Sequence, residues 1–459
     1  MAFGFFKKSE AADIIYTGGR IYTQNPELPW AEAVACKDGL ILAVGDAEDL
    51  AEFEGKHTQV VNLDGKFMLP GYIDTCGHPV THSFRDSCLF LAGGGLDEIL
   101  AQISEYASAK AEAEILFAYG YDESILKDVP AEQIRARLDA ICPDKPVVIL
   151  GKSGFHCFVN TVAMEIVKTA AEEDEIGNAV TISYILGVLQ PLDIDSIPET
   201  VPEIMRKYGE RGFTSVFDCG APDYFASLYQ SFMVHFYQEN MLRQRFFGSL
   251  LILRDVNPKG VMYKLSQLRT NCVELNGYVN FKTLKMIVGG DEENLSISSD
   301  VLRELCVEAG DKGFDVHIDA LGEDAVDWSI EAMGAARTAG YKKNALILAH
   351  SEVADPQTLT DDCYQLDIAE SVSTLVTDDD WLCIEGTRSV EEAVDMLTID
   401  AALMLGIGNE YGSIDKGKHA DFAVFEENPL EAKTLDEFKN IRASMTILDG
   451  AVVYDAEGD

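Results

Sequence analysis

The spacing of hydrophobic and polar residues divides the chain into three parts. Near each end, short apolar runs alternate with turn signals such as Gly-Gly and Asp-Gly, which are typical of β-hairpins. Examples are DIIYTGGRIYT near the N-terminus and RASMTILDGAVVYDA near the C-terminus. Between about residues 68 and 406, strand-like apolar runs alternate with segments of helical periodicity. The pattern predicts β structure at both ends of the chain and an α/β middle.

The middle part has the alternation and the length of a (β/α)8 TIM-type barrel. Its strand-like runs include ILFAYGY, PVVILGKSG, FKTLKMIVGG and NALILAHSE, with helical segments such as DVLRELCVEAGDKG between some of them. Repeated alternation predicts a parallel sheet wrapped by helices. We place the barrel at residues 67–406, between β-rich ends at residues 1–66 and 407–459. The stretch between His350 and Gly406 barely holds two (β/α) units of about 30 residues each, so the barrel is expected to be shortened after residue 350.

The charge balance excludes some classes of partner. The chain has 36 basic and 78 acidic residues and a formal net charge of −42, which repels nucleic-acid phosphates and anionic lipid surfaces. It has no apolar run long enough to span a bilayer, and its N-terminus lacks the apolar stretch of a signal peptide. We therefore expect a cytoplasmic protein with a small-molecule substrate, no nucleic acid and no membrane. A shortened barrel would expose apolar surface, which a homodimer would cover.

Polar residues lie where several of the predicted barrel strands end. Cys76 and His78 are separated by one residue on the first strand, so they are expected to share a face. Asp319 and His350 arrive from later strands, and Lys285 from a strand between. Thiolate, imidazole and carboxylate together suit zinc better than magnesium or calcium. The sequence predicts a zinc site of one or two ions at the carboxyl ends of the strands, where TIM-type barrels carry their chemistry.

Several motifs together resemble those of one protein family. PGYIDTCGHP is similar to PGFIDxHxH, GFTSVFDCG to GVTSVxDxG, ILAHSE to RIEHAQ, and GSIDKGKHADFAVFEENP to GSLxxGKxADLxVLDxDP. These are motifs of the amidohydrolase superfamily, and the chain resembles its YtcJ-like branch, which includes N-substituted formamide deformylase. The resemblance implies a metal-dependent hydrolase of a non-peptide C–N bond, in an amide, formamide, urea or cyclic imide. It also implies that both termini form one small β-sandwich.

Residue by residue, the resemblance makes Lys285 the lysine that many members carboxylate to bridge two metals. Cys76 and His78 become the first-strand ligands, and Asp319 and His350 the ligands of the fifth and sixth strands. Two imidazoles of the family are replaced here, one by Cys76 and one by Asp319. An anionic ligand set is expected to hold zinc but to activate a bound water less.

The end of the barrel admits two alignments. In the first, the motif TDDDW supplies Asp380, which the resemblance implies as the base that takes the proton of the attacking water. In the second, the same letters belong to the seventh strand, and WLCIEG leaves only Glu385 for the eighth. The sequence leaves both alignments open.

Three further residues are candidates for contact with the substrate. They are Tyr121 in the motif YGYDES, His156 in SGFHCFVN, and His317, two residues before Asp319. His317 is expected to pack outward if Asp319 points inward.

The residues also allow other interpretations. Lys285 serves equally well as an ion-pair partner of Asp319 in a site without metal. The barrel is alternatively a catalytically inactive module that binds a small molecule or a protein. In a further alternative, Cys76 is the nucleophile of a hydrolase, with His78 or His156 as its base.

Overall fold

The computed structural model describes residues 10–79, 88–91, 93–122, 129–151, 157–170, 197–222, 226–289, 297–341, 343–349, 363–370, 374–376, 382–384 and 387–458. The strands in these ranges are β1 (Ile14–Tyr22), β2 (Trp30–Lys37), β3 (Leu40–Gly45), β4 (Gln59–Asn62), β5 (Phe67–Pro70), β6 (Tyr72–Gly77), β7 (Leu89–Phe90), β8 (Leu116–Tyr121), β9 (Val147–Gly151), β10 (Cys157–Val159), β11 (Phe213–Pro222), β12 (Arg245–Ile252), β13 (Val279–Gly289), β14 (Asp315–Leu321), β15 (Leu346–Ala349), β16 (Ala369–Glu370), β17 (Thr374–Val376), β18 (Leu382–Ile384), β19 (Phe422–Phe425), β20 (Met445–Leu448) and β21 (Ala451–Asp455).

Helices accompany most of these strands. They are α1 (Ala47–Leu50), α2 (Leu96–Ala109), α3 (Ala131–Ile141), α4 (Thr161–Ala170), α5 (Ile197–Glu210), α6 (Ala226–Gln238), α7 (Pro258–Asn271), α8 (Ser299–Lys312), α9 (Glu323–Thr338), α10 (Val390–Leu397), α11 (Ile399–Met404) and α12 (Leu435–Asn440). Within the described ranges, no helix combines the length and the apolar character that crossing a bilayer requires.

Strands from both ends of the chain share one sheet. Its order is β21-β20-β19-β5-β1-β2-β3, and β4 also pairs with β1. The predicted joining of the two ends is present, while the two-layered sandwich form stays a prediction. The strand Phe67–Pro70 pairs with β1 and β19 and belongs to this sheet, so the predicted boundary at residue 67 is a few residues too early. The second sheet begins with β6, at Tyr72.

The middle of the chain forms a barrel-like sheet of seven parallel strands. Their order is β6-β11-β12-β13-β14-β15-β16, which after the first strand follows the sequence. The short β17 lies against β6, at the opposite edge of this sheet from β16. Helices α5 to α9 alternate with β11 to β15, as in the α/β architecture that the alternation predicts.

Two predicted barrel strands lie in another sheet. The runs ILFAYGY and PVVILGKSG supply β8 and β9 of a four-stranded sheet with the order β10-β9-β8-β7. In the described ranges, this sheet has its own apolar core with α2 and α3. The prediction that both runs belong to the barrel is wrong, because apolar periodicity identifies a buried strand but not its neighbours.

Candidate active site at the barrel mouth

Strand alternation selects the side chains that face the inside of the barrel. Alternate residues of β13 and β14 pack in the large core between sheet and helices, and the residues between them face the other way. On β13, Leu284 and Met286 lie in this outer core, which turns Lys285 inward. On β14, His317 and Asp319 both face inward.

Lys285 and Asp319 form a buried ion pair. The Lys285 Nζ donates to Asp319 Oδ1 at 2.5 Å, and the two side chains are 2% and 12% exposed. Burial alone would lower the pKa of Lys285, but the Asp319 carboxylate and then Cys219 raise this pKa above its ordinary value. The lysine is therefore an ammonium at neutral pH. The ion pair, one of the two roles left open for Lys285, is present.

His317 faces the same side of β14 as Asp319. Its Nε2 lies 3.7 Å from Asp319 Oδ1, and its ring stacks on Phe217 with a centroid separation of 5.4 Å. Phe217 belongs to β11, three strands away in the sheet, so this contact crosses the interior. The expectation that His317 packs outward is wrong. β14 pairs with β13 without a register shift from Asp315 to Leu321, so residues two apart share a face.

The first barrel strand is not regular where it carries Cys76. The step from Asp74 to Gly77 on β6 spans three residues and faces a two-residue step on β11, which is the pattern of a β-bulge. Simple alternation therefore does not relate Cys76 to His78. Cys76 packs against the inner apolar cluster of the barrel, and His78 follows the last residue of the strand and is half-buried.

A second cysteine lies beside Cys76. The Cys219 thiol on β11 donates to the backbone carbonyl of Thr75, with a sulfur-to-oxygen distance of 3.5 Å, and it is a neighbour of Cys76. The neighbouring Cys219 thiol, followed by the positive charge of Lys285, outweighs burial and lowers the pKa of Cys76. Burial raises the pKa of Cys219 well above its ordinary value. The sequence pattern gave no reason to single out Cys219, because it lies on a strand distant in the chain.

Asp74 holds the bulge in place. Its Oδ2 accepts a hydrogen bond from the Tyr208 hydroxyl at 2.7 Å, and its Oδ1 accepts one from the backbone N–H of Cys76 at 2.9 Å. A Cβ at Gly77 would lie 2.8 Å from Val216 Cγ1 and 2.9 Å from Asp74 Oδ2, so this position has no room for a side chain. The Asp of the PGYID motif thus positions the Cys76 backbone, a role that its sequence neighbours do not indicate.

Of the remaining predicted site residues, one lies elsewhere in the fold and the others lie outside the described ranges. Tyr121 is 2% exposed and lies in the core of the four-stranded sheet, where its ring centroid is 5.8 Å from that of Phe158. His156, His350 and Asp380 lie outside the described residues, as does Glu385. Their roles stay predictions.

Comparison with known proteins identifies the family. A profile of the amidohydrolase family matches residues 59–385 and 355–454, most of the chain. The chain belongs to this family. The predicted resemblance to the branch that includes N-substituted formamide deformylase is confirmed. That enzyme of Arthrobacter pascens is 20% identical over 543 aligned positions, which span 98% of this chain and all of the deformylase. The exoenzymes regulatory protein AepA of Pectobacterium carotovorum is 25% identical over 396 residues, 77% of this chain and 83% of AepA.

Solved structures support the fold of this amidohydrolase-family chain. An uncharacterised metal-dependent hydrolase from Pyrococcus horikoshii superposes with a TM-score of 0.66 over 92% of this chain and 98% of its own. Its sequence identity is 17%, so the likeness concerns the architecture alone.

The described residues do not fit a zinc pair bridged by Lys285. Within the described ranges, Cys76, His78 and Asp319 belong to no group of three potential ligands whose donor atoms lie within 4.8 Å of one another. The place of a cation beside Asp319 is taken by the Lys285 ammonium. Unit charges about 4 Å apart repel by about 4 kcal/mol at an effective dielectric constant of about 20, and a divalent ion doubles that repulsion. A carboxylated lysine would be an anion, the opposite of the observed ion pair.

A group of three potential ligands does exist in the described ranges, at the junction of the barrel with the terminal sheet. It consists of His419, Asp421 and Asp449. The buried guanidinium of Arg245 already pairs with both carboxylates: Nε donates to Asp421 Oδ2 at 2.9 Å, and Nη2 contacts Asp449 Oδ1. Tyr411 stacks on the His419 ring at 4.7 Å. The group is an ion-pair network that joins β12 to the terminal sheet.

Proposed function

We propose that this protein hydrolyses a non-peptide carbon–nitrogen bond of a small molecule, in an amide, formamide, urea or cyclic imide. The observation that carries the proposal is the meeting of Cys76, Lys285 and Asp319 inside the barrel, from three strands far apart in the chain. Membership of the amidohydrolase family supports it. The relative that aligns along its whole length with this chain is, by its name, a deformylase of N-substituted formamides.

The buried ion pair supplies part of what such a reaction needs. Attack on a carbonyl carbon places negative charge on its oxygen, and a fixed positive charge in a dry site stabilises that charge. Lys285 is such a charge, and Asp319 fixes its position. The ammonium is then oriented before the substrate arrives, which is the condition under which electrostatic stabilisation is strongest.

The nucleophile is a separate question. The sequence predicts water activated by zinc, with Asp380 as the base, and this route depends on His350 and Asp380, which lie outside the described residues. The zinc route stays a prediction.

Elemental analysis of protein purified without chelator tests the zinc route. If zinc is the cofactor, Cys76→Ala or His350→Ala is expected to lower bound zinc at least about tenfold. Equal zinc in both variants and the unmodified protein would reject this ligand set.

The hydrolase proposal is tested by release of amine from a panel of N-substituted formamides, amides, ureas and cyclic imides. Asp319→Asn is expected to lower kcat/KM by about 100-fold or more. The Lys285 ammonium that stabilises the transition state loses the carboxylate that fixes its position. Lys282→Met is the matched control, since Lys282 pairs with Asp315 on the same two strands at 3.0 Å. Equal losses in both variants, or no turnover of any compound, would contradict the proposal.

A second candidate is a hydrolase that uses Cys76 as its nucleophile. The specific observation is the position of Cys76 beside Cys219 and near the Lys285 ammonium, which together lower the pKa of Cys76. The thiolate would attack the carbonyl carbon, and the C–N bond would break with release of the protonated amine; water would then hydrolyse the resulting thioester and free the thiol. Mass spectrometry of protein stopped during turnover would find an acyl group on Cys76, and Cys76→Ser would lose activity whether or not chelator is present. Full activity in Cys76→Ser would exclude this candidate.

The same assays distinguish an inactive binding module. AepA is named a regulatory protein, and a barrel that binds a panel compound by calorimetry without releasing amine would favour binding over catalysis. The homodimer, the lack of nucleic-acid and membrane partners, and the cytoplasmic location stay predictions. Light scattering after size exclusion tests the dimer.

A further inference from the structure

The barrel mouth contains its own cation. Lysine is almost never fully buried unless it is paired, and Lys285 is 2% exposed with its Nζ 2.5 Å from Asp319 Oδ1. Its neighbours Leu284 and Met286 are fixed in the outer core, so the strand cannot turn Lys285 outward without exposing them.

The groups around this ammonium are those that would otherwise attract a metal ion. Asp319 provides a carboxylate, His317 Nε2 lies 3.7 Å from the same carboxylate oxygen, and the thiols of Cys76 and Cys219 are neighbours of each other. Sulfur, imidazole and carboxylate are zinc donors. In the described part of the chain these donors are nevertheless not gathered around a common point.

We infer that the Lys285 ammonium replaces a metal ion as the resident cation of the barrel mouth. It neutralises Asp319 and occupies the position beside this carboxylate, so no zinc binds between residues 76, 285 and 319. The family pattern would place imidazoles at positions 76 and 319, and both are absent here. The replacement at position 319 suits an ammonium in place of a metal ion, because a carboxylate accepts a hydrogen bond from an ammonium donor. The inference does not depend on the proposed function.

The first test measures metal directly. The unmodified protein and Asp319→Asn are dialysed against excess zinc with bicarbonate, desalted and analysed for metal. We expect no zinc that depends on Asp319: either both proteins are metal-free, or both retain equal zinc, which then lies elsewhere in this acidic chain. Stoichiometric zinc in the unmodified protein that is lost in Asp319→Asn would overturn the inference.

The second test removes the cation. Lys285→Met removes the ammonium that lies beside Asp319 and the other zinc donors, so its melting temperature is expected to fall and then to rise again with added zinc, because a ligand of the folded state stabilises it. The unmodified protein should show no change with zinc or with chelator. Lys282→Met is the control, because its Asp315 keeps a hydrogen bond from the Ala345 N–H at 2.7 Å and should show no response to zinc.

The outcomes separate this inference from the proposed function. A large fall of the unmodified protein's melting temperature with chelator that Asp319→Asn does not share would overturn the inference even if the protein turns over amides. Absence of turnover would count against the hydrolase proposal and leave the metal result untouched. If Lys285→Met does not fold, metal analysis of the unmodified protein still decides.

Discussion

Replacement of Arg245 by methionine tests the network that joins the barrel to the terminal sheet. The Arg245 side chain is fully buried and that of Asp421 is 6% exposed, so the variant leaves a buried carboxylate without its counter-charge. Asp421 keeps the hydrogen bond from the Asp449 N–H at 2.9 Å. Breaking a buried pair by removing one partner costs about 3–5 kcal/mol. With an unfolding entropy of about 2.1 cal/mol/K per residue, such a loss lowers the melting temperature by about 3–5 °C if the whole chain unfolds together.

Calorimetry and urea unfolding measure this change. The matched control is Arg206→Met, because Arg206 pairs with Glu203 on the surface of α5, where an ion pair contributes about 1 kcal/mol or less. The double variant Arg245→Met/Asp421→Asn removes both charges and should recover much of the lost stability. The reasoning is refuted if Arg245→Met costs no more than Arg206→Met, or if the double variant is no more stable than the single one.

Three more predictions concern the mouth and the network. In Cys219→Ala, the pH midpoint for alkylation of Cys76 by iodoacetamide should rise, because the variant removes the neighbouring thiol that lowers the pKa of Cys76. A midpoint that stays or falls, read by peptide mass spectrometry, counts against this contact. Tyr208→Phe should destabilise the fold by about 1–3 kcal/mol in urea unfolding, because it leaves one buried oxygen of Asp74 without its donor; Tyr237→Phe, at an exposed hydroxyl, is the control. The pKa of Asp449 is lowered from 3.8, because its bonds to His419 and Arg245 outweigh burial. The contribution of Asp449 to stability is therefore full above pH 3.8 and is lost as the pH falls through the lower pKa of the folded state. The difference in stability between the unmodified protein and Asp449→Asn should shrink in acid, and a constant difference would contradict the assignment.

The sequence by itself determined the local features of this protein. Apolar periodicity found the strands and helices, and turn signals found the β-rich ends, because both patterns depend on residues close in the chain. Lys285 and Asp319 were placed at one mouth because parallel strands bring their carboxyl ends to the same side of a sheet. The error at His317 had a local origin as well: it assumed an irregular strand where β14 is regular.

Only the tertiary structure decided what depends on contacts between distant residues. It assigned β8 and β9 to a separate sheet, placed Cys219 beside Cys76, and showed the bulge that Asp74 and Tyr208 hold. It also placed the Asp319 carboxylate at hydrogen-bond distance from the Lys285 ammonium. A residue's type limits which partners are chemically possible, but the partner itself is set by the packing of the whole chain, which no local pattern contains.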